Sequence, residues 1–281
     1  MIPGKLASDS KFLLWGRSAR LTRPPHPEQF DEEKEMAGRK RNSRQGLIFV
    51  VLIVALGIAI WLLLVNCVFV VREVDVEGNT TLSAEDVIRL SKVKLGARLN
   101  AVDVDYIHSS VESDGRLAFE GLEKKYPNRL ILKVRERTQD AMALQAGKVL
   151  VLDADGYVVR IEGQLPDLSV PYVTGLRVTD YALGRRVNAE EERLNAMKAV
   201  LEALKAKNAT AYVSELNVED VRTLRIVTRT GITVTLGDTQ NMENKIVWMA
   251  GALADLESRG EISGNLDVSS GNKADFLPIE R

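Results

Sequence analysis

The sequence predicts an α+β protein carried on a single N-terminal transmembrane helix. Behind it stand a small unit of order strand, helix, helix, strand, strand and a larger, mostly antiparallel β unit with helices. Three observations predict this. Residues 46–71 contain no charged side chain; they separate a tail of net charge +4 (residues 1–45) from a remainder of net charge −5 (residues 72–281). Beyond the apolar stretch, short segments alternate between apolar and polar residues, the period of half-buried strands. Between those strands lie segments with apolar residues every three or four positions, the period of amphipathic helices. The 281 residues, with a net charge of −1, exclude a nucleic-acid binder driven by bulk charge, and 45% hydrophobic content excludes a multi-span transporter. A single cysteine and two histidines exclude an intramolecular disulfide and leave no clustered ligands for a metal cofactor.

The tail is expected to be largely disordered. Pro24, Pro25 and Pro27 break a helix, and the acidic run Phe30 to Glu35 followed by basic residues reads as a solvated linker. Its one apolar island, Phe12 to Trp15, lies among Lys11, Arg17 and Arg20 and suits either a membrane surface or a docking motif.

Gly46 to Val71, as a helix of about 39 Å, crosses a hydrocarbon core of about 30 Å. Arg39, Lys40, Arg41 and Arg44 precede it, whereas Arg72 beside Glu73 follows, so the positive-inside bias places the N-terminus in the cytoplasm and the rest outside, extracellular or periplasmic. The run is too long for a cleaved signal peptide, and Asn66 stands before Cys67 where a lipoprotein signal carries a small residue.

Residues 72–137 are expected to form the first unit. Val74 and Val76 share one strand face, ended by Gly78-Asn79. Ser83 and Asp86 have capping-box spacing ahead of Val87, Leu90 and Val93, and Val104, Ile107 and Val111 stripe a second helix. Ala118 to Tyr126 and Arg129 to Arg137 form a hairpin turned at Pro127-Asn128, with Leu130, Leu132 and Val134 on one face.

Residues 138–281 form the second unit. Asp153-Ala154-Asp155-Gly156 is a hairpin turn, since a calcium loop needs ligands through twelve positions and hydrophobic residues follow here instead. Leu224 to Thr228 and Ile232 to Leu236 make a hairpin around Thr230-Gly231. Asn188 and Glu191 are expected to cap a helix striped by Leu194, Met197, Leu201 and Leu204. A second helix, striped by Met242, Ile246, Met249, Leu253 and Leu256, ends near Gly260.

No catalytic constellation emerges. His108 lies beside a helical apolar stripe, Glu190-Glu191-Glu192 occupies a first helical turn where the helix dipole favours acids, and the glycines are dispersed at turns. An enzyme is not expected, nor any cofactor. A binding site is expected at the C-terminal end. Asn265 to Ser269 and Lys273-Ala274-Asp275-Phe276-Leu277 form two strands around Ser270-Gly271-Asn272, and Pro278 confines the last one to an edge. An unpaired edge accepts a partner strand. Phe276 either faces that partner or closes the core.

Val71 to Asn79 (VREVDVEGN), Lys124 to Arg137 (KKYPNRLILKVRER), Val151 to Val158 (VLDADGYV), Leu165-Pro166 with Pro171 to Gly175 (PYVTG), Val234 to Asp238 (VTLGD) and Asn265 to Ser270 (NLDVSS) stand in one order behind one anchor. This arrangement resembles the FtsQ/DivIB bacterial cell-division proteins over residues 46–281, with a POTRA domain as first unit. The resemblance implies a non-enzymatic scaffold of the divisome that supports septum formation. It implies a POTRA domain that recruits other divisome membrane proteins, and a distal domain whose C-terminal strand binds bitopic coiled-coil proteins of the FtsL and FtsB/DivIC types. An anchored cell-wall enzyme and a POTRA-type chaperone for exported polypeptides are the alternatives.

Overall fold

The computed structural model describes residues 29–164, 166 and 170–279. The Phe12 to Trp15 island, the proline cluster and Leu165 lie outside the described residues. The apolar stretch belongs to one long helix, α1 (Gln29–Leu63), continued by a π-helical turn over Leu64–Val68. Within it, Arg44–Val68 is long and apolar enough to cross a membrane. Two expectations are corrected here. The segment from Phe30 through Arg44 is helical rather than a linker, because Glu, Lys, Arg, Met and Ala are good helix formers and no proline follows Pro27. The helical run also ends earlier than Val71. Phe69 leaves helical geometry while its N–H reaches the Leu64 carbonyl, and Val71 is buried with Leu99 and Leu130 in the first globular unit.

That unit has strand β1 (Glu73–Glu77), helices α2 (Ala84–Ser91) and α3 (Val104–Glu112), and strands β2 (Leu117–Lys125) and β3 (Arg129–Glu136). The capping box forms as expected, with the Ser83 hydroxyl accepting the Asp86 N–H at 3.1 Å. Asp103, missed in the sequence, caps α3 the same way, leaving Val104 exposed at the first helical position. β2 and β3 pair antiparallel, and β1 joins β3 in parallel, so β3 is central. Leu132 and Val134 meet Val87, Ile107, Val111 and Leu117 beneath the helices. Ile131, on the other face, is buried as well, which the alternation did not show.

Glu136 ties this unit together at a place the sequence did not mark. Its carboxylate accepts the backbone N–H groups of Thr80, Thr81 and Leu82 at 2.7–2.9 Å and the hydroxyls of Thr80 and Thr81, fixing the turn that leads into α2. Partial burial works against its ionisation, but the Thr81 hydroxyl and these three N–H groups prevail and hold its pKa at about 2, from an ordinary 4.5.

The distal unit is one nine-stranded sheet of order β12-β11-β10-β9-β8-β7-β4-β5-β6. Its strands are β4 (Ala141–Gln145), β5 (Lys148–Leu152), β6 (Val158–Glu162), β7 (Tyr172–Thr174), β8 (Val213–Asn217), β9 (Leu224–Thr228), β10 (Ile232–Gly237), β11 (Gly264–Asp267) and β12 (Asp275–Pro278). Five of the eight pairings are antiparallel; β4/β7, β7/β8 and β10/β11 are parallel. Helices α4 (Glu191–Ala206) and α5 (Met242–Ser258) bury every residue of their expected stripes against one core with the strands. The expected cap of α4 is corrected. Glu190 is the N-cap and makes no side-chain cap bond, while the Asn188 backbone is engaged with Thr179 and Asp180. The Asp153–Gly156 turn forms as expected, with the Asp153 carboxylate accepting the Tyr157 N–H at 2.8 Å.

The two globular units meet at Arg137, just past β3. Its side chain is 2% exposed and pairs at 3.1 Å with Asp153, itself 4% exposed. The guanidinium lies 3.8 Å over the Tyr157 ring, donates to the Leu117 carbonyl and approaches Glu112 of α3 at 3.6 Å. Burial raises the Asp153 pKa, against the stabilising Tyr157 N–H and the Arg137 charge. Gly184, at φ +73°, is held so close to the Glu112 carbonyl that a Cβ there would overlap it.

Arg137→Ala leaves Asp153 and Glu112 without their cation in a closed junction, and we expect a loss of about 3–5 kcal/mol in chemical denaturation, with Asp153→Asn costing distinctly less. Glu136 contributes a separate acid dependence. Its folded pKa lies below the unfolded one, so its contribution is complete above about pH 4.5 and is lost as the pH falls towards about 2. Melting temperatures recorded across that window should fall, and Glu136→Gln should flatten that part of the profile.

Candidate functional site

An open sheet has two edges, and this one treats them differently. At the β6 edge, Val158 exchanges backbone hydrogen bonds at 2.9 Å with Gly184 and Arg185. The remainder of β6 faces the membrane-proximal unit across a cleft of about 700 Å³, lined by Arg160 and Glu162 on one side and Leu90 and Asp114 on the other. At the opposite edge, β12 pairs only with β11, in the register Asn265 to Leu277, Leu266 to Phe276 and Asp267 to Asp275. Among the described residues no strand lies beyond it.

The expected site residues Lys273, Ala274, Asp275, Phe276 and Leu277 fall on this edge, but not all in the expected roles. Lys273 and Ala274 precede the strand; Lys273 forms a 2.5 Å ion pair with Asp275, and Ala274 packs against the core. Of the two roles left open for Phe276, the structure supports closing the core. The ring packs against the main cluster and covers Gly264 of β11, where a Cβ would overlap it. Alternation then turns Leu277 the other way, 69% exposed, and Ile279 just beyond the strand is exposed too. The apolar groups offered at the edge are therefore Leu277 and Ile279.

Lys245 supports this edge from below and was missed in the sequence. It lies on the buried face of α5, where its ammonium donates to the Asp238 carbonyl and carboxylate at 2.8 and 2.9 Å. That bond, with the Gln240 N–H, holds the Asp238 pKa below its ordinary value. The Lys245 stem runs beside Gly271, in the turn from β11 to β12, at the distance of an ordinary van der Waals contact to a Cβ placed there. The signal was present: position 245 is three beyond Met242 and four before Met249, inside an otherwise apolar stripe.

His108 is half-exposed, 3.1 Å from Glu112 and tilted against Phe119 at 5.1 Å between ring centres. Glu112 is itself shared with Arg137 and with the Phe119 N–H. The geometry gives the imidazole a structural partner. No group of three or more His, Cys, Asp or Glu side chains suited to a metal ion occurs among the described residues.

A candidate membrane helix, a βααββ unit and a β-rich distal domain with one uncovered edge define a class, the membrane-anchored proteins with a POTRA domain. The family model of the FtsQ-type POTRA domain matches residues 69–137, and that of the cell division protein FtsQ/DivIB C-terminal domain matches residues 141–268. Together they fall in tandem on the two globular units, and the chain belongs to the FtsQ/DivIB family of cell-division proteins. It is 22% identical to the cell division protein DivIB of Clostridium tetani over 212 residues, covering 74% of this chain and 80% of that one. It is also 29% identical to the cell division protein FtsQ of Myxococcus fulvus over 194 residues, 68% of this chain and 66% of the relative.

The opposed faces of Phe276 and Leu277 predict different stability effects. Leu277→Ala should leave the melting temperature unchanged. Phe276→Ala should lower it, with a loss of stability smaller than the roughly 3–5 kcal/mol of a fully buried ring. Lys245→Met, which keeps the stem but removes the charge-assisted bonds, should cost about 1–3 kcal/mol in denaturant titration.

Proposed function

We propose that this chain is a non-enzymatic scaffold of the divisome that supports septum formation, and that β12 accepts a strand from a bitopic coiled-coil division protein of the FtsL or FtsB/DivIC type. The single observation that carries the reading is the asymmetry of the sheet: β6 is engaged at Val158 and turned towards the POTRA domain, whereas β12 has no strand beyond it among the described residues and has exposed Leu277 and Ile279 beside it. Backbone hydrogen bonds from the edge supply affinity, and the alternating outward side chain supplies selectivity. Other divisome membrane proteins engage the POTRA domain. Anchoring supports both contacts, because two membrane-tethered partners meet at a high effective concentration and need only weak surfaces. The basic residues Arg39, Lys40, Arg41 and Arg44 before the apolar stretch support a cytoplasmic N-terminus, with both globular units on the far side. His108 has no assigned chemistry in this reading.

The test is partner affinity measured on folded variants of the whole chain in detergent or nanodiscs, with purified FtsB/DivIC-type protein as ligand. Leu277→Asp should weaken binding by about tenfold or more, the equivalent of about 1.4 kcal/mol, at an unchanged melting temperature. Asp275→Pro, which disturbs the edge backbone, should weaken it further. Unchanged affinity in both variants would remove β12 from the interface.

A further inference from the structure

We propose that the membrane-proximal end of the POTRA domain is a second, peripheral membrane contact, in which the loop around Leu95 and the aromatic Tyr126 sit in the lipid interface and nearby basic residues hold anionic headgroups. The proposal rests on the reading of α1 as an anchor. It does not depend on which side of the membrane the domain occupies.

The argument begins with length. Leu47 to Val65 is an unbroken run of 19 residues without a polar side chain, and Asn66 is the first polar residue after it. At about 1.5 Å per residue that run is roughly 28 Å long, matching a hydrocarbon core of about 30 Å. Asn66 therefore marks the level where hydrocarbon gives way to headgroups, a layer about 5–7 Å deep. The Arg98 guanidinium donates to the Asn66 side chain at 2.6 Å, which ties the loop after α2 to that residue. Backbone bonds fix it there. The Val71 N–H reaches the Ala97 carbonyl and the Gly96 N–H reaches the Val71 carbonyl, both at 2.8 Å, while the Leu99 N–H reaches the Phe69 carbonyl at 2.9 Å. The turn after β2 is held similarly, since the Arg72 N–H reaches the Asn128 carbonyl and Tyr126 stacks edge-on against Phe69.

The side chains offered at this level suit a lipid surface. Leu95 is 66% exposed and Tyr126 is 59% exposed, an aliphatic group and an aromatic one whose hydroxyl donates to the Asn100 side chain at 2.6 Å. Amphipathic rings concentrate at this depth of a bilayer. Lys92 and Lys94 line a pocket of about 300 Å³ with Ala97 and Tyr106 and, among the described residues, pair with no carboxylate. The guanidinium of Arg72, just after the apolar stretch, donates to the Cys67 carbonyl at 3.0 Å and, among the described residues, pairs with no carboxylate. The nearest acid in sequence, Glu73, is already neutralised by Arg129 at 2.7 Å. The match is to an anionic surface.

The test uses the full chain with Cys67→Ser, labelled with an environment-sensitive fluorophore at Leu95→Cys, Ala59→Cys or Glu85→Cys. Ala59 lies within the span, and Glu85 lies at the opposite end of α2 from Lys92. The chain is reconstituted with brominated lipid as quencher, in phosphatidylcholine alone and in phosphatidylcholine with phosphatidylglycerol. Quenching and a blue-shifted emission are expected at Ala59→Cys and Leu95→Cys but not at Glu85→Cys, strongest at Leu95→Cys in the anionic bilayer. Replacing both Lys92 and Lys94 by Ala should lower the docked-to-undocked ratio by about fivefold per lysine, the worth of one basic residue at such a surface. Quenching at Ala59→Cys with Leu95→Cys no different from Glu85→Cys overturns the contact while leaving the anchor intact. Equal docking in both bilayers, insensitive to the lysines, overturns the headgroup assignment. An unquenched Ala59→Cys overturns the anchor and the contact together.

Discussion

The buried guanidinium of Arg137 is the constraint on which the arrangement of the two globular units depends. It stands one residue beyond the central strand of the POTRA domain and is neutralised by Asp153, in the β5–β6 hairpin turn of the distal domain. A cation removed from water is tolerable only if its surroundings replace the lost hydration. Here they come from both sides: Leu117 and Glu112 from one unit, Asp153 and the Tyr157 face from the other. Neither unit alone satisfies the charge, so separating them exposes an unbalanced set in each. An apolar contact of the same area would permit sliding, whereas a directional donor above an aromatic ring favours one orientation.

That junction also decides which sheet edge is open. The hairpin that carries Asp153 joins β5 to β6, and the closely packed segment around Gly184 meets both Glu112 of the POTRA domain and Val158 of β6. Fixing this hairpin against the POTRA domain therefore engages the β6 edge at Val158 and turns the rest of it towards that domain. With eight pairings to the far end, the sheet reaches β12, which has no corresponding contact among the described residues. Exposed edges invite unwanted pairing, and short length, charge and proline are ordinary protections. β12 has all three: four residues, an ion pair at its start and Pro278 at its end. The edge is guarded against indiscriminate pairing without being closed.

Much of this was legible because it is local. The Ser83/Asp86 capping box, the Asp153–Gly156 turn and the buried stripes of α4 and α5 are written in spacings of three or four residues, and each formed as those spacings require. What was not legible depends on residues distant in sequence. The parallel pairing of β1 with β3 needs two helices to return the chain, and nothing in Glu73 to Glu77 names its partner. Arg137 reads as the last charge of an alternating strand, and its burial follows from a hairpin that begins sixteen residues later. Glu136 likewise meets Thr80 to Leu82 across more than fifty positions. The expected Asn188 cap failed because its backbone was already engaged with Thr179 and Asp180, an alternative that local spacing does not reveal.

Phe276 shows why the last strand was the hardest to assign. A single aromatic on an edge strand can turn to either face, and its own neighbours, Asp275 and Leu277, are compatible with both. The choice is made by Gly264 on the adjacent strand, whose missing side chain leaves the space that the ring occupies. Once the ring is drawn inward, the period of two turns Leu277 outward, and the Lys245 stem runs beside Gly271 in the preceding turn. The site is thus set by three residues that need not touch a partner: a glycine that makes room, an aromatic that fills it and a buried lysine beside the turn. A surface determined in this way is preorganised, because the groups that fix its register are in place before a strand arrives and the ordering cost at binding falls mainly on the partner.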